Sequence, residues 1–217
     1  EWDAAQTGAL WCDCSPSMAF RSSKRLPTKA ERAGILGLGL ASLLLQGGER
    51  VSLLGSKAKA ASGRLALIQM AHHLERAIAD APPTDLPQAP ESLPRHSAVV
   101  LVSDFLGPIK TLEATLKSYA GRTVRGHLLQ VLDPAEESLP FAGRVRFEGM
   151  EEEGQHLLGR AESARGAYRN RLASHRDTLR DISRRAGWGF LTHRTDHSPE
   201  SVLLALYAAL SPQTGHH

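Results

Sequence analysis

Apolar segments of two kinds alternate along the chain. Short continuous runs predict strands, and longer segments with apolar positions at helical spacing predict helices. The predicted strands cover residues 8–12, 50–54, 98–102, 124–132 and 189–192, and the predicted helices cover about 28–47, 62–78, 110–120, 155–186 and 199–210. Strands separated by helices indicate a parallel sheet with helices on both faces. We therefore predict an α/β fold, a Rossmann-like three-layer sandwich with a mostly parallel central sheet.

Helix-capping residues define some of these boundaries more closely. Thr28 and Glu31 have the spacing of a capping box, which predicts a helix start, and Gly47 predicts its end. In the segment 139–150, apolar and polar residues alternate, which predicts a hairpin or an extended excursion. The alternation is otherwise unbroken over 217 residues. We expect one domain over 1–217, with an insertion at about 133–160 and a C-terminal helix-strand-helix.

Composition argues against several classes of function. The formal charge is +3 and aromatic residues make up 5% of the chain, but basic and acidic residues are interspersed, which disfavours nucleic-acid binding. No apolar run reaches the roughly 18 residues of a membrane span, and no signal-peptide pattern is visible. Cys12 and Cys14 lie two apart on one strand face, a poor geometry for a disulfide. We therefore expect a cytoplasmic protein with reduced cysteines and no membrane span.

An Asp-x-Ser-x-Ser motif directly follows the first apolar run. Asp13, Ser15 and Ser17 bring one carboxylate and two hydroxyls to the point where a buried strand ends. Hard oxygen ligands of this type bind Mg²⁺, which keeps several of its waters. The motif therefore predicts a metal site. Asp and Ser also satisfy backbone N–H groups in ordinary turns, and this alternative stays open.

A second acidic residue, Asp104, follows another buried strand. In an open parallel sheet, ligands gather outside the carboxyl ends of the strands, where the strand order reverses. If the two strands are neighbours there, both carboxylates face one crevice. Ser62, before the second helix, could join them, although a role as helix N-cap explains it equally well. The predicted metal ligands are Asp13, Ser15, Ser17, Asp104 and Ser62, with Mg²⁺ as the ion and Mn²⁺ as a substitute.

Other polar groups give weaker signals. Asp133, Glu136 and Glu137 follow a predicted strand and could line the same rim, but we expect a solvated acidic turn. His193 and His197 lie four apart without a nearby cysteine, so we expect surface residues and no zinc site.

These motifs resemble a known family. The Asp-x-Ser-x-Ser motif, together with Asp104 at the end of another buried strand, is similar to the metal-ion-dependent adhesion site of von Willebrand factor A-type domains. Further segments resemble, more narrowly, the bacterial domain-of-unknown-function family 58. They are Leu-Asp-Pro-Ala-Glu-Glu at 132–137, Leu-Pro-Phe at 139–141, Gly-Arg-Val-Arg-Phe at 143–147, Gly-Trp at 187–188 and Arg-Thr-Asp at 194–196.

The resemblance implies a von Willebrand factor A-like fold with a magnesium site at its top, in a protein that acts with MoxR-type AAA+ ATPases in assembling or activating other proteins. Two departures accompany it. We expect the family's N-terminal arm to be absent, because the chain opens at Glu1. The adhesion-site threonine has no clear counterpart, and Ser62 is its stand-in.

The functional prediction is a non-enzymatic, metal-dependent protein-interaction domain. A cation held by carboxylates and hydroxyls keeps positive charge and an exchangeable water position, which an Asp or Glu of a partner protein can fill. Two alternatives remain: a metal-assisted phosphoester hydrolase, and a protein that interacts through its surface alone and carries a vestigial metal site. The chain has no phosphate-binding loop and no Gly-x-Ser-x-Gly elbow.

Overall fold

A computed structural model describes residues 6–56, 59–83, 85–138, 145–147, 156–158 and 161–210. The strands in this part of the chain are β1 (Thr7–Cys12), β2 (Arg50–Leu53), β3 (Ala98–Ser103), β4 (Arg125–Leu132), β5 (Val145–Phe147), β6 (His156–Leu158) and β7 (Gly189–Arg194). The α-helices are α1 (Lys29–Gln46), α2 (Gly63–Asp80), α3 (Ile109–Tyr119), α4 (Pro134–Ser138), α5 (Ala161–Arg185) and α6 (Glu200–Leu210), and a 3₁₀ turn spans Pro16–Ala19.

The central sheet confirms the predicted fold class. It has five strands in the order β2-β1-β3-β4-β7, and every neighbouring pair is parallel. The short strands β5 and β6 form a separate antiparallel pair. The chain is therefore an α/β protein with a Rossmann-like three-layer sandwich.

Both faces of the sheet are buried. In β3 the residues Ala98, Val100 and Val102 pack with α1, α2 and α6, whereas Val99 and Leu101 pack on the opposite side with α3 and α5. Successive side chains of a strand point to opposite faces, so a strand covered on both sides has to be apolar throughout. This explains the continuous apolar run at the centre of the sequence.

The strand order reverses between β1 and β3. The strand β2 lies on one side of β1, and the strands that follow it in the chain lie on the other side. The strands β1 and β3 are paired along their length, up to Cys12 opposite Val102, and the Asp13 N–H donates to the Val102 carbonyl at 2.8 Å. The condition set for a shared crevice is therefore met: these two strands are neighbours, and their carboxyl ends form the crevice of the switch point.

The helix start predicted at Thr28 is also confirmed. The Glu31 N–H donates to Thr28 Oγ1 at 3.1 Å, and the Thr28 N–H donates to Glu31 Oε2 at 2.7 Å. This capping box satisfies two N–H groups that the first helical turn cannot satisfy itself. It also fixes Lys29 as the first helical residue, where its side chain is buried.

The region after β4 differs from its prediction. The long helix begins at Ala161 and not near 155, because His156–Leu158 pairs with Val145–Phe147 as a strand. The rest of the hairpin predicted over 139–150 lies outside the described residues. The short helix α4 was not predicted, because its five residues are too few for a helical apolar period.

His193 is not a surface residue as expected. It lies on β7 with 6% of its surface exposed, whereas His197 is exposed. Burial, together with the charge of Arg32, lowers the pKa of His193 to about 4. The imidazole is therefore neutral at neutral pH.

Among the helices of the described part, none combines the length and the apolar character that a membrane crossing requires.

Gly126 in β4 is a position where no side chain fits. A Cβ there would lie 1.9 Å from Trp188 Cδ2, and the Trp188 ring is itself held edge-on against Tyr119 with centroids 5.3 Å apart. We expect Gly126→Ala to lower the free energy of unfolding by about 1–3 kcal/mol, because the buried ring has to move. Urea denaturation at equilibrium measures this loss.

The matched control is Gly166→Ala, on the exposed side of α5, where an added Cβ meets nothing within 4 Å. This change should stabilise the protein by about 0.5–1 kcal/mol, because alanine has the higher helix propensity. Equal effects of the two substitutions would contradict the packing described for Gly126.

Candidate functional site

Polar side chains from several elements meet at the carboxyl edge of the sheet. Asp13 directly follows β1, and Asp104 directly follows β3. Both are buried, with 7% and 3% of their surfaces exposed. Hydrogen bonds and ion pairs connect further residues to them. We call this group the edge cluster, and its members are Asp13, Ser15, Ser17, Lys29, Asp104 and Glu136.

Each aspartate uses one carboxylate oxygen to close a tight turn. The Ser15 N–H donates to Asp13 Oδ1 at 2.8 Å, and the Leu106 N–H donates to Asp104 Oδ1 at 3.1 Å. The alternative interpretation of the motif as a strand-end turn is therefore correct for one oxygen of Asp13, and Asp104 closes a turn of the same kind. The second oxygens point elsewhere: Asp13 Oδ2 accepts from the Ser103 hydroxyl at 2.7 Å.

The two serines of the motif link the strand ends. The Ser15 and Ser17 hydroxyl oxygens lie 3.2 Å apart, and the Ser17 hydroxyl donates to Asp104 Oδ2 at 3.1 Å. Three oxygens from two loops thus lie in a row at hydrogen-bond spacing. The structure therefore brings together four of the five predicted ligands.

Lys29 enters this row from α1. Its ammonium donates to Asp104 Oδ2 at 2.8 Å and to Glu136 Oε1 at 2.6 Å, and its side chain is only 2% exposed. Burial alone would lower the pKa of Lys29, but the charges of Asp104 and Glu136 outweigh it and raise the pKa above its usual value. The side chain is therefore a permanent cation at the edge of the sheet.

The acidic segment after β4 is not the solvated turn that we expected. Asp133 is fully buried; its carboxylate accepts from the Ser22 N–H at 2.9 Å and from the Ala135 N–H at 2.8 Å. Glu136 accepts from the Asp133 N–H at 2.8 Å and from Lys29. Glu137 pairs with Arg176 on α5. The helix α4 imposes this arrangement, because it turns these carboxylates toward different partners.

The helix α5 holds the turn that carries Asp104. Phe105 has a φ of 50°, in the left-handed region that non-glycine residues rarely adopt. His175 on α5 contacts the Phe105 carbonyl at 2.7 Å through Nε2. The Gln130 amide donates to the Asp104 carbonyl at 2.8 Å, and Arg176 donates to Gln130 Oε1 at 3.1 Å. These bonds stabilise an unfavourable backbone conformation at the site.

Negative charge exceeds positive charge in the edge cluster. When they are all ionised, the carboxylates of Asp13, Asp104 and Glu136 face the single ammonium of Lys29, which leaves two negative charges in excess. Burial raises the pKa of Glu136, although the charge of Lys29 opposes this. Burial raises the pKa of Asp13, and the charge of Asp104 adds to this, although hydrogen bonds from Ser103 and Ser15 oppose it. An additional cation would relieve this repulsion.

Ser62 is not brought to the edge cluster. The residue before it, Ala61, forms an antiparallel bridge with Val51, which pairs with Gly8 near the amino end of β1. Ser62 is therefore about five positions, or roughly 16 Å, along the sheet from Asp13. Its side chain is exposed and forms no capping hydrogen bond.

The donor set fits a hard divalent cation in type and spacing. Adjacent ligands of an octahedral Mg²⁺ site lie about 3.0 Å apart, close to the separations in the row of Ser15, Ser17 and Asp104 oxygens. The Cys14 thiol lies between Asp13 and Ser15 in the sequence. It is not a competing soft ligand, because burial and the charge of Asp13 raise its pKa to about 11. Within the described ranges, no three His, Cys, Asp or Glu side chains form a metal-binding group. A cation at the edge cluster would therefore need the serine hydroxyls as ligands beside the carboxylates.

Sequence reasoning singled out neither Lys29, which belongs to the edge cluster, nor Ser103, whose hydroxyl donates to Asp13. The capping box could have indicated Lys29, because it makes Lys29 the first residue of the helix, and a side chain there can point back to the edge of the sheet. Ser103 directly precedes Asp104 and was seen only as part of the strand end.

Comparison with known proteins gives the family. The family model described as "Protein of unknown function DUF58" matches residues 1–178. The chain belongs to this family. No curated protein shows significant sequence similarity to this DUF58 chain.

Two solved structures share the fold of the DUF58 chain. An aerotolerance-related membrane protein from Bacteroides fragilis NCTC 9343, with multiple mutations to serines, is 17% identical with a TM-score of 0.57, over 95% of this chain and 98% of that one. A conserved hypothetical protein, BatB from Bacteroides thetaiotaomicron, is 15% identical with a TM-score of 0.54, over 95% and 97%. At these identities the similarity concerns the fold alone.

Ser103 is predicted to contribute to the stability of the site. Its hydroxyl donates to Asp13 Oδ2 and accepts from the Phe105 N–H at 3.1 Å, so Ser103→Ala removes a partner from two buried groups. We expect the free energy of unfolding to fall by about 1–3 kcal/mol. Chemical denaturation measures the change.

The control is Ser138→Ala, whose exposed hydroxyl donates to the Pro134 carbonyl at 2.9 Å. Its effect should stay within about 0.5 kcal/mol. A loss at Ser103 no larger than that at Ser138 would show that the buried network does not support Asp13.

Proposed function

We propose that this DUF58 chain is a Mg²⁺-dependent protein-interaction domain, with the ion held by Ser15, Ser17 and Asp104 and supported by Asp13. The observation that carries the proposal is the row of three oxygens, 3.2 and 3.1 Å apart, that joins the two strand ends of the switch point. Ligands gather at this place in open parallel sheets. The spacing suits adjacent ligands of a small octahedral cation.

The charge of the site supports a role in binding. Two buried aspartates and two neutral hydroxyls leave a divalent ion only partly surrounded by protein, so waters complete its coordination. One of these waters can be exchanged for a carboxylate oxygen of another protein. The partner class is therefore a protein that presents an Asp or Glu to the metal, and Mn²⁺ can replace Mg²⁺.

A binding role is favoured over metal-assisted hydrolysis by the third carboxylate. A hydrolase would need a base directed at a metal-bound water. Glu136 is the nearest further carboxylate of the edge cluster, and it is held by Lys29 at 2.6 Å and by the Asp133 N–H at 2.8 Å. We therefore propose a non-enzymatic domain.

The wider setting of the proposal comes from the family resemblance alone. The resemblance implies that members of the family act with MoxR-type AAA+ ATPases, so we propose a cytoplasmic assembly or maturation system driven by such an ATPase. The metal would then be the contact point for a client or for the ATPase itself.

Metal titration tests the proposal. For a millimolar dissociation constant, 10 mM Mg²⁺ should stabilise the folded protein by about 1.4 kcal/mol, which raises the Tm by about 3–6 °C. Ser17→Ala removes a ligand from a half-buried position and should abolish most of this rise. Differential scanning calorimetry with Mg²⁺, with Mn²⁺ and with chelator, at constant ionic strength, measures both effects.

Ser23→Ala is the matched control, because Ser23 lies in the same loop but is exposed and accepts from the Arg25 N–H. It should keep the full response to Mg²⁺. A Tm of the unaltered protein that does not respond to either ion would refute the metal site. Mg²⁺-dependent turnover of generic phosphoesters, lost in Ser17→Ala, would favour the hydrolase.

A further inference from the structure

Lys29 brings a positive charge into the site proposed for the metal. Its ammonium lies 2.8 Å from Asp104 Oδ2, the same oxygen that accepts from the Ser17 hydroxyl. A divalent ion on that oxygen would lie close to the ammonium. Two cations at such a distance repel each other strongly where little water is present to screen them, and the Lys29 side chain is 2% exposed.

We propose that Lys29 is a built-in competitor for the metal, which sets the affinity of the site, and that Glu136 keeps its ammonium when the ion takes Asp104. This inference rests on the proposed function, because it concerns the regulation of the same site. It adds a residue that the adhesion-type motif does not contain.

The geometry provides both the anchor and the alternative position that such a competitor needs. The capping box fixes the Lys29 backbone at the start of α1, while its four-carbon stem leaves the ammonium free to shift. Its two acceptors belong to different elements, Asp104 after β3 and Glu136 on α4. The Glu136 side chain is 15% exposed, against 4% for Asp104, so a shift toward Glu136 moves the ammonium outward.

The charges of the edge cluster allow the ammonium to stay nearby. When Lys29 is protonated and Asp13, Asp104 and Glu136 are all ionised, the edge cluster has two negative charges in excess, which one divalent ion balances. The ammonium therefore has to give up its contact with Asp104 but can keep the one with Glu136, so it does not have to leave the cluster. Glu136 stabilises the bound state by holding the displaced charge.

Two substitutions at the Lys29–Glu136 pair test the inference, with Mg²⁺ alone as the probe in titration calorimetry and in thermal melts. Lys29→Met keeps the apolar stem and removes the competing charge, so the Kd for Mg²⁺ should fall by about tenfold or more. Glu136→Gln keeps the shape but weakens the alternative position of the ammonium, so the Kd should rise several-fold.

The control is Glu137→Gln, which removes the same charge from the same short helix. Glu137 pairs with Arg176 and Arg194 instead of Lys29, so this variant should bind Mg²⁺ within about twofold of the unaltered protein. The double variant Lys29→Met/Glu136→Gln shows whether Glu136 acts by holding the Lys29 ammonium or by attracting Mg²⁺ directly. If Glu136 acts by holding the ammonium, its substitution has little effect once Lys29 is replaced.

The outcomes distinguish the two proposals. Equal Mg²⁺ affinity in the unaltered protein and in Lys29→Met would overturn the role of Lys29 and leave the metal site standing. If Lys29→Met does not fold, equal affinities of Glu136→Gln and Glu137→Gln would overturn it instead. Absence of Mg²⁺ binding in every variant, Lys29→Met included, would overturn the metal site and the competitor together.

Discussion

The buried charge of Asp104 is the constraint on which the rest of the site depends. A carboxylate with 3% of its surface exposed needs compensation, because an unpaired buried charge is strongly destabilising. Here the compensation comes from the Lys29 ammonium at 2.8 Å, the Ser17 hydroxyl at 3.1 Å and the Leu106 N–H at 3.1 Å. Each donor comes from a different segment. The charge therefore ties the start of α1, the motif after β1 and the turn after β3 into one unit.

The surrounding elements have roles that follow from this constraint. The capping box of α1 places Lys29 in the crevice, and α4 supplies Glu136 as its second acceptor. The helix α5 fixes the left-handed turn at Phe105 through His175, and Gln130 holds the Asp104 carbonyl. A site held from so many sides is preorganised, so its affinity for a cation depends on charge balance more than on folding of loops. Lys29 is the member that can change this balance without altering the fold.

The sequence was sufficient for the fold and for the two strand ends, because both follow from short-range patterns. Continuous apolar runs indicate strands buried on both faces, and the helices between them require parallel pairing, so Asp13 and Asp104 are expected at the same edge of the sheet. That their strands are neighbours is known only from the structure. Contacts between distant segments were beyond this reasoning. Lys29 meets Glu136 across 107 residues, and no local pattern marks such a pair. Ser62 fits the motif by order along the chain, but the bridge of Ala61 to Val51 places it toward the other end of the sheet. The long helix was extended too far, because strand pairing at 156–158 overrides a polar helical pattern.

The most direct measurement of the central claim is an anomalous diffraction map from crystals grown with Mn²⁺. A metal bound as proposed gives one peak about 2.2 Å from Ser15 Oγ, Ser17 Oγ and Asp104 Oδ2, with the Lys29 ammonium moved away from Asp104 and water at a remaining coordination position. A map without a peak at the strand ends, with Lys29 still bound to Asp104, would contradict it. The edge cluster would then be a closed ion-pair network that uses its lysine in place of a metal.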